Sequence, residues 1–172
     1  MNWVGAIEDQ ARGLLSKVVA PSAAMTTQVL TIARPRAVVE QFWHDPDNLS
    51  AVLDGIAQVE ATEPDRVRWS FTTGNTAAAQ WVTRTVVGAD EIRFVGSSDP
   101  AGRSQIRLIF ADAPNGLGTE VTVRVTSPLP KQLTGHAAYT ALYRARAMLQ
   151  TGEAPTLANN PSGRSEAAEQ EA

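Results

Sequence analysis

Apolar and polar residues alternate strictly along the middle of the chain. Ile106, Leu108 and Phe110 share one face of a predicted strand, and Gln105 and Arg107 occupy its other face. Between residues 56 and 127, runs of this kind are separated by short turn sequences rich in Gly, Pro, Asn and Asp. The pattern predicts about six antiparallel strands with one face turned to water.

Helical spacing replaces this alternation near both ends of the chain. Residues 2–19 and residues 132–151 carry apolar side chains at steps of three and four, and the patterns end at Pro21 and Gly152. The apolar side of the second helix is rich in alanine and comprises Leu133, Ala137, Ala138, Ala141, Leu142, Ala145, Met148 and Leu149. The apolar side of the first comprises Trp3, Val4, Ile7, Ala11, Leu14, Leu15 and Val18. Each helix needs a surface that buries its apolar side, because an isolated helix of this length is marginally stable.

A strand and two short helices are predicted between the first helix and the alternating region. The strand covers residues 25–33, and the helices cover 36–44 and 48–54, with Asp47 or Asn48 as the N-cap of the second. Because two helices separate this strand from the later ones, we expect it to join the sheet at an edge. We expect the helix at the end of the pattern to cover the apolar face of the sheet.

This order of elements predicts an α+β fold in which a curved antiparallel sheet wraps around a long C-terminal helix, with an extra N-terminal helix. We divide the chain into an N-terminal amphipathic helix at 1–22, a central domain at 23–152 and a polar tail at 153–172. The tail is predicted to be disordered, since it lacks both periodicity and apolar content.

The composition excludes several classes of function. The chain of 172 residues has no cysteine, which rules out disulfides, thiolate metal sites and a cysteine nucleophile. The net charge of −3 arises in the tail, so residues 1–152 lack the basic surface that nucleic-acid binding requires. No run of about 18 apolar residues and no basic signal region is found, so we predict a cytoplasmic protein without a transmembrane segment.

Three segments resemble the START-like superfamily, also called SRPBCC, and within it the polyketide cyclase/dehydrase-type branch with coenzyme-Q-binding relatives. The first is LTIARPRAVVEQFWHDPDNLSAVLDGIAQVE, which is similar to the opening strand, proline, helix and FWxDPxNL element of that branch. The second is GLGTEVTVRVT, similar to its penultimate glycine turn and last strand. The third is LYRARAMLQTGEAP with the following PSGR, similar to its last helix and tail. The resemblance covers roughly residues 26–164.

The resemblance implies a helix-grip fold and a cavity between the sheet and the C-terminal helix, but not a particular reaction. Members of the superfamily bind lipids, polyketides, quinones or hormones. We therefore expect residues 23–152 to be a START-like domain that binds a hydrophobic small molecule of lipid, quinone or polyketide-like type. The N-terminal helix is not part of the family's basic pattern.

The predicted cavity lining consists of aromatic residues along the strands and small residues on the facing helix. The residues are Phe42, Trp69, Phe71, Trp81, Thr83, Phe94, Phe110, Ala138, Ala141, Leu142 and Ala145. The same side chains would equally fill an ordinary close-packed core. Tyr139 or Tyr143 could offer a hydroxyl to the ligand, and Arg144 or Arg146 could close a salt bridge at the rim, although all four are typical surface residues.

Catalytic and metal-binding patterns are sparse. His44 and His136 lack the spacing of paired metal ligands, and we predict no metal, no cofactor and no identifiable catalytic residue. A binding protein is therefore favoured over an enzyme. Two alternatives stay open: a polyketide aromatase/cyclase or dehydratase, and an interaction module that uses residues 2–19 to contact the domain, a second copy in a homo-oligomer, another protein or a membrane surface.

Overall fold

The computed structural model describes residues 24–73, 76–99, 101–127 and 131–155, with seven strands and three α-helices. The predicted helix at 2–19 and the predicted tail beyond residue 155 lie outside the described residues. The strands are β1 (Ala24–Ile32), β2 (Ala57–Glu63), β3 (Arg66–Thr73), β4 (Thr76–Val87), β5 (Glu91–Gly96), β6 (Gln105–Asp112) and β7 (Thr119–Ser127). The helices are α1 (Arg36–His44), α2 (Pro46–Val52) and α3 (Lys131–Thr151). This arrangement confirms the predicted α+β class.

The strands form one curved antiparallel sheet in the order β1-β7-β6-β5-β4-β3-β2. β1 pairs with β7 along its length, from Ala24 opposite Ser127 to Ile32 opposite Thr119. The predicted edge position of the first strand is confirmed. As a result, the first strand lies beside the strand that leads towards α3.

The second short helix begins earlier than predicted. Rather than spanning 48–54, α2 begins at Pro46, which tolerates the first helical position because its missing N–H would have no partner there. The N-cap is Asp45, whose carboxylate accepts a hydrogen bond of 2.9 Å from the backbone N–H of Asp47. The prediction of Asp47 or Asn48 as the cap is therefore wrong, because the helix starts two residues nearer to α1.

Arg36, in the first turn of α1, connects this helix to the turn between β4 and β5. The guanidinium contacts the Glu40 carboxylate at 2.6 Å, the Asp90 carboxylate at 2.6 Å and the carbonyl oxygen of Ala89 at 2.9 Å. The hydrogen bonds to Glu40 and then Asp90 raise the pKa of Arg36 above its ordinary value. Arg36 therefore remains a cation and ties α1 to the turn between β4 and β5.

α3 lies along β1 and also contacts β7 and α2. Near the start of both elements, the hydroxyls of Thr26 and Thr134 are 3.0 Å apart. Near their ends, Arg34 Nε donates a hydrogen bond of 2.5 Å to the carbonyl oxygen of Leu149. β1 and α3 therefore run in the same direction, and the predicted cover of the sheet by the C-terminal helix is confirmed on the β1–β7 side.

Alternation along the strands separates a buried face from an outer face. On β5, Ile92 and Phe94 are buried, whereas Glu91, Arg93 and Val95 are only partly covered. The apolar faces of the strands, α1, α2 and α3 enclose one continuous hydrophobic core. The period of two in the sequence thus decides which side of each strand meets the helices.

Candidate functional site

Three aromatic rings from three neighbouring strands pack together, two of them buried in the core and one at its margin. Trp69 on β3 lies opposite Trp81 on β4, with ring centroids 6.1 Å apart. Phe94 on β5 meets the ring of Trp69 edge to face, at a centroid distance of 5.2 Å and an angle of 80°. These arrangements are favourable for aromatic quadrupoles, so the three rings form a rigid apolar surface.

The indole of Trp69 is held in place by one buried hydroxyl. Its Nε1–H donates a hydrogen bond of 2.8 Å to Thr83 Oγ1, and Thr83 has no accessible surface. Thr83, which was predicted to lie in the cavity, therefore orients the aromatic cluster.

The predicted cavity residues lie together in the core. Phe42, Trp69, Phe94, Phe110, Ala138, Ala141, Leu142 and Ala145 belong to one cluster, with Phe71 and Trp81 packed against it. Trp69, Phe94 and Phe110 are each only 2% accessible, so the interior around them is closely packed in this structure. Phe71 and Trp81 are partly exposed at the margin of the cluster. A guest therefore needs side chains to move before it can enter.

Polar chemistry in the interior is limited. Among the side chains that the structure describes, the buried polar ones are four threonines: Thr26, Thr83, Thr119 and Thr134. A threonine hydroxyl exchanges hydrogen bonds but does not titrate near neutral pH. The described core thus offers anchoring groups for a ligand rather than an acid–base pair.

Trp43 carries an unsatisfied donor in this apolar interior. It is 3% accessible, and its Nε1–H has no hydrogen-bond partner among the described residues. A buried indole N–H usually finds an acceptor, and leaving one unpaired costs about 1–3 kcal/mol. Val39, Phe42 and Trp43 have the sequence spacing of an apolar stripe on α1, and nothing in the sequence marks Trp43 as a site residue. The orphan donor becomes visible only when its surroundings are known.

A groove opens on the surface beside Trp43. It has a volume of about 460 Å³ and lies between α1, α2 and the end of α3. Its lining is Val38, Gln41, Phe42, His44, Asp45, Asn48 and Leu149. Phe42 stands between the groove and the core, because its ring packs edge to face on Trp43 at 5.7 Å. Of the predicted cavity residues, Phe42 is the one that reaches this groove.

The polar residues considered on α3 do not face the core. Tyr139 and Tyr143 are 56% and 44% accessible on the outer side of the helix. Arg144 donates to the carbonyl oxygens of Val52 and Asp54, at 3.2 and 2.7 Å, instead of forming a salt bridge. Arg144 therefore links α3 to the end of α2, and the two tyrosines lie on the outer surface of α3. None of the three lines the interior.

Comparisons with known proteins identify the fold. No protein-family model matches the sequence, and no curated protein sequence is significantly similar to it. The solved structure of DR_A0006 from Deinococcus radiodurans is 20% identical, with a TM-score of 0.58 over 76% of this chain and 100% of that one. TTHA0849 from Thermus thermophilus is 17% identical, with a TM-score of 0.58 over 76% and 100%. The Aha1 dimer from Colwellia psychrerythraea is 9% identical, with a TM-score of 0.56 over 76% and 98%.

Within the described residues, none of the helices combines the length and the apolar character that crossing a bilayer requires.

The similarity to the solved structures spans almost the whole of those chains, and at these identities it is a similarity of fold. The strand order, the curved sheet and the terminal helix agree with it. The chain therefore shares the fold of these solved structures, a helix-grip arrangement of a curved antiparallel sheet and a C-terminal helix.

Proposed function

We propose that this protein binds a hydrophobic small molecule of lipid, quinone or polyketide-like type between the sheet and α3, without catalysing its conversion. The observation that carries this function is the indole N–H of Trp43, which is buried in an apolar core and has no hydrogen-bond partner in the described part of the chain. A guest with an oxygen acceptor would satisfy that donor and share the surrounding apolar surface. A purely hydrocarbon guest would leave it unpaired.

The groove provides the route to Trp43. Ligand pockets usually have volumes of about 300–1,000 Å³ and combine apolar walls with a few polar groups. The groove of about 460 Å³ fits this description, with Phe42 and Leu149 as apolar walls and His44 and Asn48 at the rim. Because Phe42 separates the groove from Trp43, rotation of the Phe42 ring would open the way to the core.

The interior beyond Trp43 suits an apolar guest. Trp69 and Phe94 present ring faces and edges, and α3 contributes the small side chains Ala138 and Ala141. Small residues on the helix limit the number of side chains that must be displaced. The four buried threonines add hydrogen-bonding groups without a titratable pair, which favours binding over acid–base catalysis.

A binding titration with two probes tests this function. Oleate and the quinone menadione both carry oxygen acceptors on an apolar body, and binding is followed by the tryptophan fluorescence of the full chain. We expect both probes to bind, and Trp43→Phe to weaken binding roughly fivefold, the loss expected for one hydrogen bond of about 1 kcal/mol. Native mass spectrometry of the purified protein then shows whether a molecule of this class is already bound.

Trp81→Phe is the matched control, since it makes the same chemical change at the margin of the core. The Trp81 variant should retain binding, while Phe42→Trp, which enlarges the ring between groove and core, should slow the entry of both probes. Failure of oleate and menadione to bind the unmodified chain would refute the proposed function. Equal weakening by Trp43→Phe and Trp81→Phe would refute the role of the Trp43 N–H.

A further inference from the structure

Two tyrosine rings lie stacked and exposed on the outer side of α3. The centroids of Tyr139 and Tyr143 are 6.3 Å apart and their planes differ by 13°. The guanidinium carbon of Arg146, one turn further along, lies 5.7 Å from the centre of the Tyr143 ring. Tyrosine and arginine are the residue types that dominate the energetics of protein interfaces. We call Tyr139, Tyr143 and Arg146 the tyrosine patch.

The tyrosine patch is the outward side of a helix that is otherwise well packed. Ala138, Ala141, Leu142 and Ala145 alternate with it along α3 and are all buried in the core. The patch therefore projects away from the groove and from the proposed ligand site. An occupant of this surface would act independently of the ligand.

The chain before β1 enters the structure next to this helix. Thr26, in the third position of β1, is 3.0 Å from the Thr134 hydroxyl in the first turn of α3. Because β1 is an edge strand, no other strand among the described residues lies beyond it on that side of the sheet. The preceding segment is therefore delivered to the N-terminal end of α3.

The length of the preceding segment matches the helix. The sequence pattern predicts a helix over residues 2–19, whose 18 residues would span about 27 Å, and the 21 residues of α3 span about 32 Å. Only four residues, 20–23, separate the predicted helix from β1, so a docked helix would have its C-terminal end near Thr134. The predicted helix then extends back along α3 in the antiparallel direction.

We propose that residues 2–19 dock as a helix, antiparallel to α3, over the tyrosine patch of the same chain. With Val19 level with Thr134, simple counting brings Leu14 to the level of Tyr139 and Ile7 to the level of Arg146. Leu14, Ala11 and Ile7 lie on the apolar side of the predicted helix, and the level of Tyr143 falls at Gln10, next to Ala11.

Charge complementarity supports the same register. Glu8 lies next to Ile7 and so falls near Arg146, which has no carboxylate partner among the described residues.

The segment after α3 is a poorer occupant, since residues 156–172 contain one large apolar residue, Leu157, and no amphipathic pattern. The docked helix would bury its own apolar side and the tyrosine rings at once.

Disulfide cross-linking in the full chain tests this arrangement directly, because the protein has no cysteine of its own. The antiparallel register pairs residue 17 with residue 136 and residue 6 with residue 147. We therefore choose the double variants Lys17→Cys/His136→Cys and Ala6→Cys/Ala147→Cys. We expect both to form an intramolecular disulfide, seen as a faster-migrating monomer on a non-reducing gel and a mass loss of two hydrogens.

The swapped pairs are the matched controls. Lys17→Cys/Ala147→Cys and Ala6→Cys/His136→Cys contain the same four sites but cross-link only in a parallel or unfixed arrangement. We expect them to react roughly tenfold more slowly, and Tyr139→Ser/Tyr143→Ser to slow the matched pairs to the same extent. Arg84→Gln, on the outer face of the sheet, should leave every rate unchanged.

Three outcomes would overturn the docking. Equal rates for matched and swapped pairs would mean that residues 2–19 have no fixed place on α3. Disulfide-linked dimers in place of monomers would mean that a second copy covers the tyrosine patch. Absence of cross-linking in all four variants, with circular dichroism showing intact folds, would leave the patch without this occupant.

Discussion

Trp69 on β3 and Thr83 on β4 are joined by a 2.8 Å hydrogen bond from the indole N–H to the threonine hydroxyl, and both side chains are buried. The two residues are 14 positions apart, and the register places Thr83 opposite Val67 and Trp69 opposite Trp81. The bond therefore runs diagonally between the strands. It fixes the ring against which Trp81 and Phe94 pack.

Thr83→Val should leave the Trp69 N–H buried without an acceptor. The cost of an unsatisfied buried donor is about 1–3 kcal/mol, so we expect the free energy of unfolding to fall by that amount. Urea denaturation measures it. In the Trp69→Phe background, which has no indole N–H, Thr83→Val should cost clearly less, as expected for coupled partners. An equal cost in both backgrounds would show that the hydrogen bond contributes nothing.

Gly118→Ala should prevent normal folding of the turn before β7. Gly118 has φ of 113°, and a Cβ atom built there would lie 2.2 Å from the carbonyl oxygen of Ile32 and 2.8 Å from Ala33 Cα. These contacts are with backbone atoms, which cannot move aside. We therefore expect the free energy of unfolding to fall by more than about 4 kcal/mol, or the variant to fail to fold.

Gly116→Ala is the matched control for Gly118→Ala. Gly116 also has a positive φ, of 68°, but a Cβ atom there would meet nothing within 4 Å. Only the strain of the left-handed conformation remains, about 1–2 kcal/mol. Thermal unfolding of both variants should separate the two costs. Similar melting temperatures would contradict the close approach of Gly118 to the end of β1.

Arg144→Met should loosen α2 from α3. The guanidinium donates to the carbonyl oxygens of Val52 and Asp54 at the end of α2, where helix carbonyls lack internal partners. One of these hydrogen bonds is exposed to solvent. We therefore expect the free energy of unfolding to fall by about 1 kcal/mol rather than by the full value for two charge-assisted bonds. Hydrogen exchange should accelerate at Leu53 to Ala57. Faster exchange in Arg84→Met as well would indicate a general loss of charge effects instead.

Arg124→Glu should stabilise the protein at low salt. Arg93, Arg107 and Arg124 lie directly opposite one another on β5, β6 and β7. Glu91 contacts both Arg93 and Arg107, but no carboxylate among the described residues pairs with Arg124. Replacing one of two facing like charges by an opposite charge is worth about 0.2–1 kcal/mol.

The salt dependence of that gain is its control. Arg124→Gln removes the repulsion without adding attraction, so its stability should fall between those of the unmodified protein and Arg124→Glu. At an ionic strength of about 1 M, screening shortens the Debye length to about 3 Å. The free energies of unfolding of the three proteins should then converge. A destabilised Arg124→Glu at low salt would mean that Arg124 packs favourably through its aliphatic stem.

The sequence predicted local features of the fold correctly, but it did not predict features that depend on how distant segments pack. The alternation at Ile106, Leu108 and Phe110 correctly predicted which face of β6 turns inward, because side chains in a strand alternate regardless of context. The N-cap of α2 was predicted wrongly, because Asp45, Asp47 and Asn48 are all good capping residues and only the turn from α1 selects Asp45. The candidate cavity residues lie together in or against the core, but whether they line a cavity or fill the interior was not predictable from the sequence.

By itself, the sequence determined the α+β class, the edge position of β1, the long terminal helix and the apolar character of the interior. These follow from periodicity and from the order of elements, which are properties of neighbouring residues. Tertiary structure alone decided that the Trp43 N–H has no partner among the residues the structure describes, that Tyr139 and Tyr143 stack in solvent and that Gly118 touches the end of β1. Such relationships depend on distances between residues far apart in the chain, which are fixed only when the sheet and α3 pack together.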